Sequence, residues 1–369
     1  MKIIQTNRDN LLKPLLAVSG IVEKRHTLPI LSNVLLERAG ETARVLATDL
    51  EIQVTTGLLA EEKGPDYRVT TSARKLQEIL RALPENAEVS LISQTGKLQV
   101  KSGKSSFSLQ TLPAEDFPEM PATNEKSTKV VLQQKVLKRL LLLVQYAMAQ
   151  QDIRYYLNGL LFVLVDDTLK AVATDGHRLA YASISLPEKV SAQQDIIVPR
   201  KAIQELVKLL TDTEDPITME FSASQVRFTV GQVELVTKVI DGKFPDYGRV
   251  IPEGYKKSFD ISRIELQQAL QRVAILSNEK FRGVRWVLSD AQLRITCTNV
   301  EQEEAFEDLQ IPYKGDALDI GFNVTYLLDA LSNLSCETVV CAFGDANSSM
   351  LITASDDASY RYVVMPMRI

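Results

Sequence analysis

The sequence predicts an α+β fold of three similar domains, and three observations carry that prediction. The tetrapeptide Ala47-Thr48-Asp49-Leu50 recurs as Ala173-Thr174-Asp175-Gly176 and, more loosely, as Cys297-Thr298-Asn299-Val300. The threonines stand at 48, 174 and 298, so they are 126 and 124 residues apart. An apolar quartet with helical spacing lies about 35 residues before each threonine and another about 28 after it. Between the quartets run short stretches of alternating apolar and polar residues, as half-buried strands require. A period near 125 is too long for a solenoid unit of about 20–50 residues and fits three copies of a whole domain.

Each element follows in order. Leu12, Leu15 and Leu16, with Ser19 as a weak fourth, mark a first helix over 7–18. Pro14 sits inside it, where the missing N–H and the ring are expected to kink the helix. Leu76, Ile79, Leu80 and Leu83 mark a second over 72–83. The next pair covers 133–149 (Leu137, Leu140, Leu141, Val144) and 199–210 (Ile203, Leu206, Val207, Leu210). The last pair covers 262–274 (Leu266, Ala269, Leu270, Val273) and 324–334 (Val324, Leu327, Leu328, Leu331). Residues 98–112 read as a hairpin, with Leu98 and Val100 opposite Phe107 and Leu109 across a Ser-Gly-Lys-Ser turn. The threonine repeats at 44–56 and 169–183 read the same way. Polar stretches at 121–128 and 252–258 suggest domains over 1–124, 128–253 and 254–369. Each is two helices with mostly antiparallel strands.

Composition narrows the class. With 45% hydrophobic and 24% charged residues the chain is an ordinary globular protein. Its apolar runs, such as 140–144, are far too short for a membrane span. The N-terminus lacks an apolar signal core, so a soluble cytosolic protein is expected. Cys297, Cys336 and Cys341, with two histidines at 26 and 177, offer no metal-ligand spacing, so no metal and no cofactor is expected.

The net charge of −5 argues against a polyanionic partner when the chain is taken whole. Its distribution argues otherwise. The six predicted helices hold thirteen Lys and Arg against five Asp and Glu, so they carry +8 and the remainder −13. Glu forms helices as readily as Lys, so helix propensity does not explain its scarcity there. Helices gathered on one side make a basic surface able to hold phosphates without reading bases.

Geometry then suggests a ring. Six helices packed about 10 Å apart enclose an opening near 9 Å, whereas twelve enclose about 28 Å, enough for a duplex roughly 20 Å across. Two chains joined head to tail supply twelve. The acidic run at 301–308 (Glu301, Glu303, Glu304) and the lysine-bearing hairpin (Lys97, Lys101, Lys104) give the two ends opposite signs. Phe107 and Leu109, facing Ile275 and Leu276, are the expected apolar centre of that contact. An acidic run taken alone reads as a solvated face rather than as an interface.

Asp175 stands two residues before His177, which invites an acid–base reading. A hydrolase also needs a nucleophile or metal, and neither a GxSxG elbow nor a nucleophilic cysteine signature is present. Gly-Lys-Ser at 103–105 hints at an NTPase, but Gly96 and Gly103 enclose six residues where a phosphate loop has four. A peptide-binding scaffold without DNA remains as the third alternative.

Several longer blocks carry a resemblance. Residues 148–159 (MAQQDIRYYLNG), 172–180 (VATDGHRLA), 241–247 (DGKFPDY), 274–285 (AILSNEKFRGVR) and 362–369 (YVVMPMRI), with IVPRK, EQEEA and GFNV, resemble the bacterial beta sliding clamp family. The likeness runs end to end. It implies the DNA clamp fold: a head-to-tail homodimeric ring around double-stranded DNA, helices lining a central hole and antiparallel sheets outside, without catalysis. It implies as partners the clamp loader delta subunit, the DNA polymerase III alpha subunit, and other polymerases and repair proteins bearing short clamp-binding peptides.

Carried over residue by residue, the resemblance implies a peptide pocket. It comprises Arg154, Tyr156, Leu157, Thr174, Gly176, His177, Arg178, Leu179, Pro245, Arg249, Val250, Asn323, Tyr326, Ser349, Val363, Met365, Pro366, Met367 and Arg368. The residue types suit an apolar hole for side-chain anchors, with adaptable methionines at its rim. The C-terminal stretch reads equally as an edge strand. The resemblance also implies DNA-facing positions at Arg25, Arg74, Gln151, Tyr155, Arg200 and Lys201. The chain departs from the family pattern at Ser106, Val300 and Phe306.

Overall fold

Each third of the chain runs through one order of elements: strand, helix, four strands, helix, three strands. The computed structural model describes residues 1–23, 27–58, 65–121 and 125–368. The first third has β1 (Lys2–Asn7), α1 (Arg8–Ser19), β2 (Asn33–Ala39), β3 (Thr42–Thr48), β4 (Ile52–Gly57), β5 (Tyr67–Ser72), α2 (Ala73–Ala82), β6 (Glu88–Gln94), β7 (Lys97–Ser102) and β8 (Ser105–Gln110). The second has β9 (Thr128–Gln133), α3 (Gln134–Leu142), β10 (Gly159–Val165), β11 (Thr168–Thr174), β12 (Arg178–Ser185), β13 (Gln194–Pro199), α4 (Arg200–Leu209), β14 (Pro216–Phe221), β15 (Gln225–Val230) and β16 (Val233–Lys238). The third has β17 (Lys257–Ser262), α5 (Arg263–Ala274), β18 (Gly283–Ser289), β19 (Gln292–Thr298), β20 (Glu304–Gln310), β21 (Leu318–Asn323), α6 (Val324–Asn333), β22 (Thr338–Phe343), β23 (Met350–Ala354) and β24 (Asp357–Val364).

Compactness cuts the chain differently from the repeat. One unit joins residues 1–135 and 201–239; the other joins 136–200 and 240–369. The first unit holds an eight-stranded sheet, β5-β2-β3-β4-β16-β15-β14-β9, and a four-stranded sheet, β1-β6-β7-β8. The second holds β13-β10-β11-β12-β24-β23-β22-β17 and β20-β19-β18-β21. The large sheets form because edge strands of successive repeats pair. β4 meets β16 with Val54 opposite Leu235, and β12 meets β24 with Leu179 opposite Val363. Pairing satisfies backbone groups that an open edge leaves to solvent. The middle repeat thereby gives half its strands to each unit, a division that the linkers at 121–128 and 252–258 do not announce.

The helices form where capping and apolar spacing agree. Asn7, Ser72, Ser262 and Asn323 each accept a backbone N–H of the first turn of α1, α2, α5 and α6. In α5 the buried stripe is Leu266, Ala269, Leu270 and Val273, as the spacing predicts. Each such leucine stabilises its unit by roughly 2 kcal/mol through burial. Two details differ from expectation. In α1 the buried stripe is Leu11, Leu12, Leu15 and Val18, while Leu16 is 40% exposed. Both readings have helical spacing, and only packing selects one face. The third helix stops at Leu142 rather than 149; a 3-10 turn at Gln145–Ala147 follows, and Val144 stays buried outside the helix. Among the described residues no helix is long and apolar enough to cross a membrane.

Candidate peptide cavity and DNA-facing residues

The recurring threonine tetrapeptide is a strand-to-strand turn. Between β11 and β12, Asp175 Oδ1 accepts the backbone N–H groups of His177 (2.9 Å) and Arg178 (3.1 Å). Thr174 Oγ1 donates to the Arg178 carbonyl (2.6 Å) and accepts from Gly176 N (3.1 Å). Between β3 and β4 the same bonds recur: Asp49 accepts from Glu51 and Ile52, and Thr48 donates to the Ile52 carbonyl. The fourth residue of the tetrapeptide has positive φ in both, 79° at Leu50 and 89° at Gly176. Asp175 is therefore occupied by backbone and by Arg178, and His177 projects from the turn as an exposed residue. The acid–base reading of this pair has no geometric basis.

Glycine suits position 176 better than a residue with a side chain would. The φ there is positive, and an added Cβ would lie 3.0 Å from the Arg154 guanidinium. Arg178, two residues on, uses all three of its guanidinium nitrogens. Nε donates to Asp175 (3.0 Å), Nη1 to Asp329 (2.6 Å) and Nη2 to the Tyr146 carbonyl (2.6 Å). Its guanidinium lies 4.3 Å from the Tyr326 ring centroid. One side chain thus ties β12 to α6 and to the turn after α3, and Tyr362 OH donates to the Tyr326 carbonyl behind it.

In front of this network lies a cavity of about 240 Å³. It is lined by Arg154, Tyr156, Leu157, Thr174, Gly176, Arg178, Leu179, Pro245, Val250, Val363 and Met365. All eleven are among the nineteen expected pocket residues. The other eight do not line it and have different roles. Asn323 caps α6, Tyr326 stacks under Arg178, and the Ser349 carbonyl accepts from Tyr255. Met367 N donates to the Gly321 carbonyl (2.9 Å), and Met365 N donates to the His177 carbonyl (2.9 Å), so backbone pairing holds the C-terminal segment. Pro366 is half-buried, and Arg368 and His177 are exposed. Arg249 is exposed and pairs with Asp246.

The loop at 148–158 joins the cavity to two expected DNA contacts. Gln151 and Tyr155 are exposed near its tip, Gln151 with φ of 55°. Asn158 holds the loop by two bonds, accepting from Asp152 N (2.9 Å) and donating to the Asp152 carbonyl (2.9 Å). Asp152 in turn grips Arg154, whose Nη2 also donates to the Asp175 carbonyl. The side-chain bond from Arg154 first, then its backbone N–H, lower the Asp152 carboxyl to a pKa of about 2. The sign follows: the clamp is complete above the ordinary aspartate pKa and is lost as pH falls through 2. A carbon-detected NMR titration is expected to place the Asp152 midpoint near 2, and Asn158→Ala is expected to broaden the resonances of 150–155. A midpoint near 4 contradicts the clamp.

The remaining expected DNA contacts differ in availability. Arg200 donates to the Met148 carbonyl (2.6 Å) and backs the loop rather than standing free. Lys201 contacts Asp49 (2.5 Å), Glu23 (3.1 Å) and the Ile21 carbonyl (3.1 Å). Arg74 is exposed and pairs with Glu78 across one helical turn. Arg25 lies outside the described residues. Lys13, Lys75, Arg81 and Lys138 form no ion pair among the described residues, and the first three are exposed. Sequence reasoning counted their charge without naming them as contacts. At the expected chain ends, Ile275 is 78% exposed, Leu276 and Phe107 are half-buried, and Leu109 is buried against its own sheet. Glu301, Glu303 and Glu304 are exposed.

The chain matches the DNA polymerase III beta subunit in three successive stretches. They are the N-terminal domain at 1–121, the central domain at 131–246 and the C-terminal domain at 248–368. It is 46% identical over 362 residues to the beta sliding clamp of Pseudomonas putida, covering 98% of each chain. It is 43% identical to the beta sliding clamp of Escherichia coli K12, again over 98% of each. The crystal structure of the DNA polymerase III subunit beta from Pseudomonas aeruginosa superposes over 100% of both chains with a TM-score of 0.95 and 43% identity.

Proposed function

The chain belongs to the DNA polymerase III beta subunit family and is a non-catalytic sliding clamp, and on that premise we propose that two copies close head to tail around duplex DNA. In this reading domains 1–124, 128–253 and 254–369 each turn their pair of helices toward the duplex. The observation that carries it is the cationic excess on the helices, where Lys13, Lys75, Arg81 and Lys138 keep charges free for phosphate. Gln151 and Tyr155, on a loop braced by Asn158, add polar and aromatic contact without base choice. Lys201 acts mainly as a brace, because its ammonium is engaged by Asp49, Glu23 and the Ile21 carbonyl, while Arg200 gives one donor to the Met148 carbonyl and keeps the rest of its guanidinium for phosphate.

The cavity around Leu179, Val363 and Met365 takes the apolar anchors of short peptides. Those peptides belong to the polymerase III alpha subunit, the clamp loader delta subunit, and other polymerases and repair proteins. Three buried free thiols accord with a reducing cytoplasm. A topological experiment tests the ring. Protein loaded on a nicked circular duplex is expected to stay bound in high salt and to be lost once the circle is cut. Retention that survives cutting overturns encirclement, and absence of any retention favours a peptide scaffold without DNA.

A further inference from the structure

We propose that the loop at 148–158 serves the duplex and the peptide cavity at once, with Asp152 as its positioning residue, so that a chain closed on DNA holds a peptide more tightly than a free one. The proposal rests on both contacts in the reading above and adds the coupling between them. Outward, the loop shows Gln151, Ile153 and Tyr155, all exposed, Ile153 at 97%. Toward the cavity it gives Arg154, Tyr156 and Leu157. The two sets interleave along the chain, so neither moves far without the other.

The base of the loop is fixed by the fold. Ala149 N donates to the Leu157 carbonyl (3.0 Å), and Arg200 donates to the Met148 carbonyl through its side chain (2.6 Å) and to the Asn158 carbonyl through its backbone N–H (3.0 Å). The tip is exposed, and Gln151 stands there in the left-handed region at φ 55°. That conformation is strained for a residue with a side chain and persists only where its surroundings enforce it. Asp152 enforces it. Its carboxylate accepts the Arg154 backbone N–H (2.8 Å), Nε (3.0 Å) and Nη2 (2.9 Å), while Asn158 holds its backbone on both sides. The same guanidinium reaches the cavity wall, where Nη2 donates to the Asp175 carbonyl (3.2 Å) and Gly176 leaves room for it by lacking a Cβ. One carboxylate thus fixes both the tip that presents Gln151 and Tyr155 and the place of a cavity-lining cation. A ligand that requires this arrangement bears the cost of ordering the tip, and the second ligand finds it ordered. The coupling is therefore positive, and linkage makes it reciprocal.

Fluorescence anisotropy of a labelled, net-neutral clamp-binding peptide tests this at fixed salt. The full chain is used free or loaded on a nicked circular duplex, with the bare circle as blank. The loaded parent is expected to bind the peptide about five-fold more tightly than the free parent, at the low end of the usual coupling range. Asp152→Asn is expected to bring that ratio to about one, because an amide cannot accept the guanidinium fork at both of its terminal atoms. A merely structural role would weaken both affinities and leave their ratio alone. A parent ratio below about two overturns the proposal, and so does an Asp152→Asn chain that keeps the parent ratio. A free parent that binds no peptide overturns the cavity assignment instead, and a parent that is not retained on the circle overturns encirclement.

Discussion

Replacing Arg178 with alanine is expected to lower the unfolding free energy by about 3 kcal/mol and to abolish peptide binding at the cavity. The side chain is 10% exposed and answers two carboxylates and a carbonyl. Removing it leaves Asp175, only 16% exposed, without its counter-ion, and a lone buried charge costs about 3–5 kcal/mol. The lower end applies because Asp329 is 35% exposed and water can replace its partner there. The same loss unties Tyr326 and the turn at Tyr146, which together back the cavity wall. Urea unfolding checks the stability and fluorescence anisotropy of a labelled clamp-binding peptide checks the binding. Arg178→Lys should recover part of the stability but little of the binding, because an ammonium cannot reproduce the three-way fork. A variant as stable as the parent would show that the network is incidental.

Deleting the last five residues, 365–369, is expected to weaken the same peptide by at least about 100-fold while leaving the dimer mass unchanged. Met365 lines the cavity beside Val363, and its backbone is bonded to His177 on the turn opposite. The deletion also removes the bridge from Met367 to Gly321 at the edge of β21. That bridge is one hydrogen bond between two half-buried residues, worth about 1 kcal/mol, so the fold should persist. Met365→Ala separates the two effects, since it opens the cavity wall and keeps the bridge. Unchanged peptide affinity in the deletion would remove the cavity from the tethering role.

Local pattern made much of this legible. The spacing of Leu266, Ala269, Leu270 and Val273 and the capping serine at 262 are enough to write α5, because both depend on residues within one or two turns. The turn at 173–178 is equally local: Thr174 and Asp175 bond to atoms two to four residues away, and so the motif recurs intact at 47–52. Where two local answers were equally good, pattern failed. Leu16 and Leu11 both complete a helical stripe in α1, and only the sheet beneath decides which is buried.

The sequence by itself therefore determined the threefold repeat and the pair of helices in each third, since those follow from neighbours a few positions apart, whereas the cavity residues were implied only by the resemblance to the family. Tertiary structure decided which charges are free and how the repeats cohere. Lys201 is spent on Asp49, 152 residues away, Arg178 on Asp329 at a separation of 151, and β12 closes on β24 from the next repeat. Electrostatic availability depends on distances between side chains that only folding brings together, and no spacing rule along the chain encodes them.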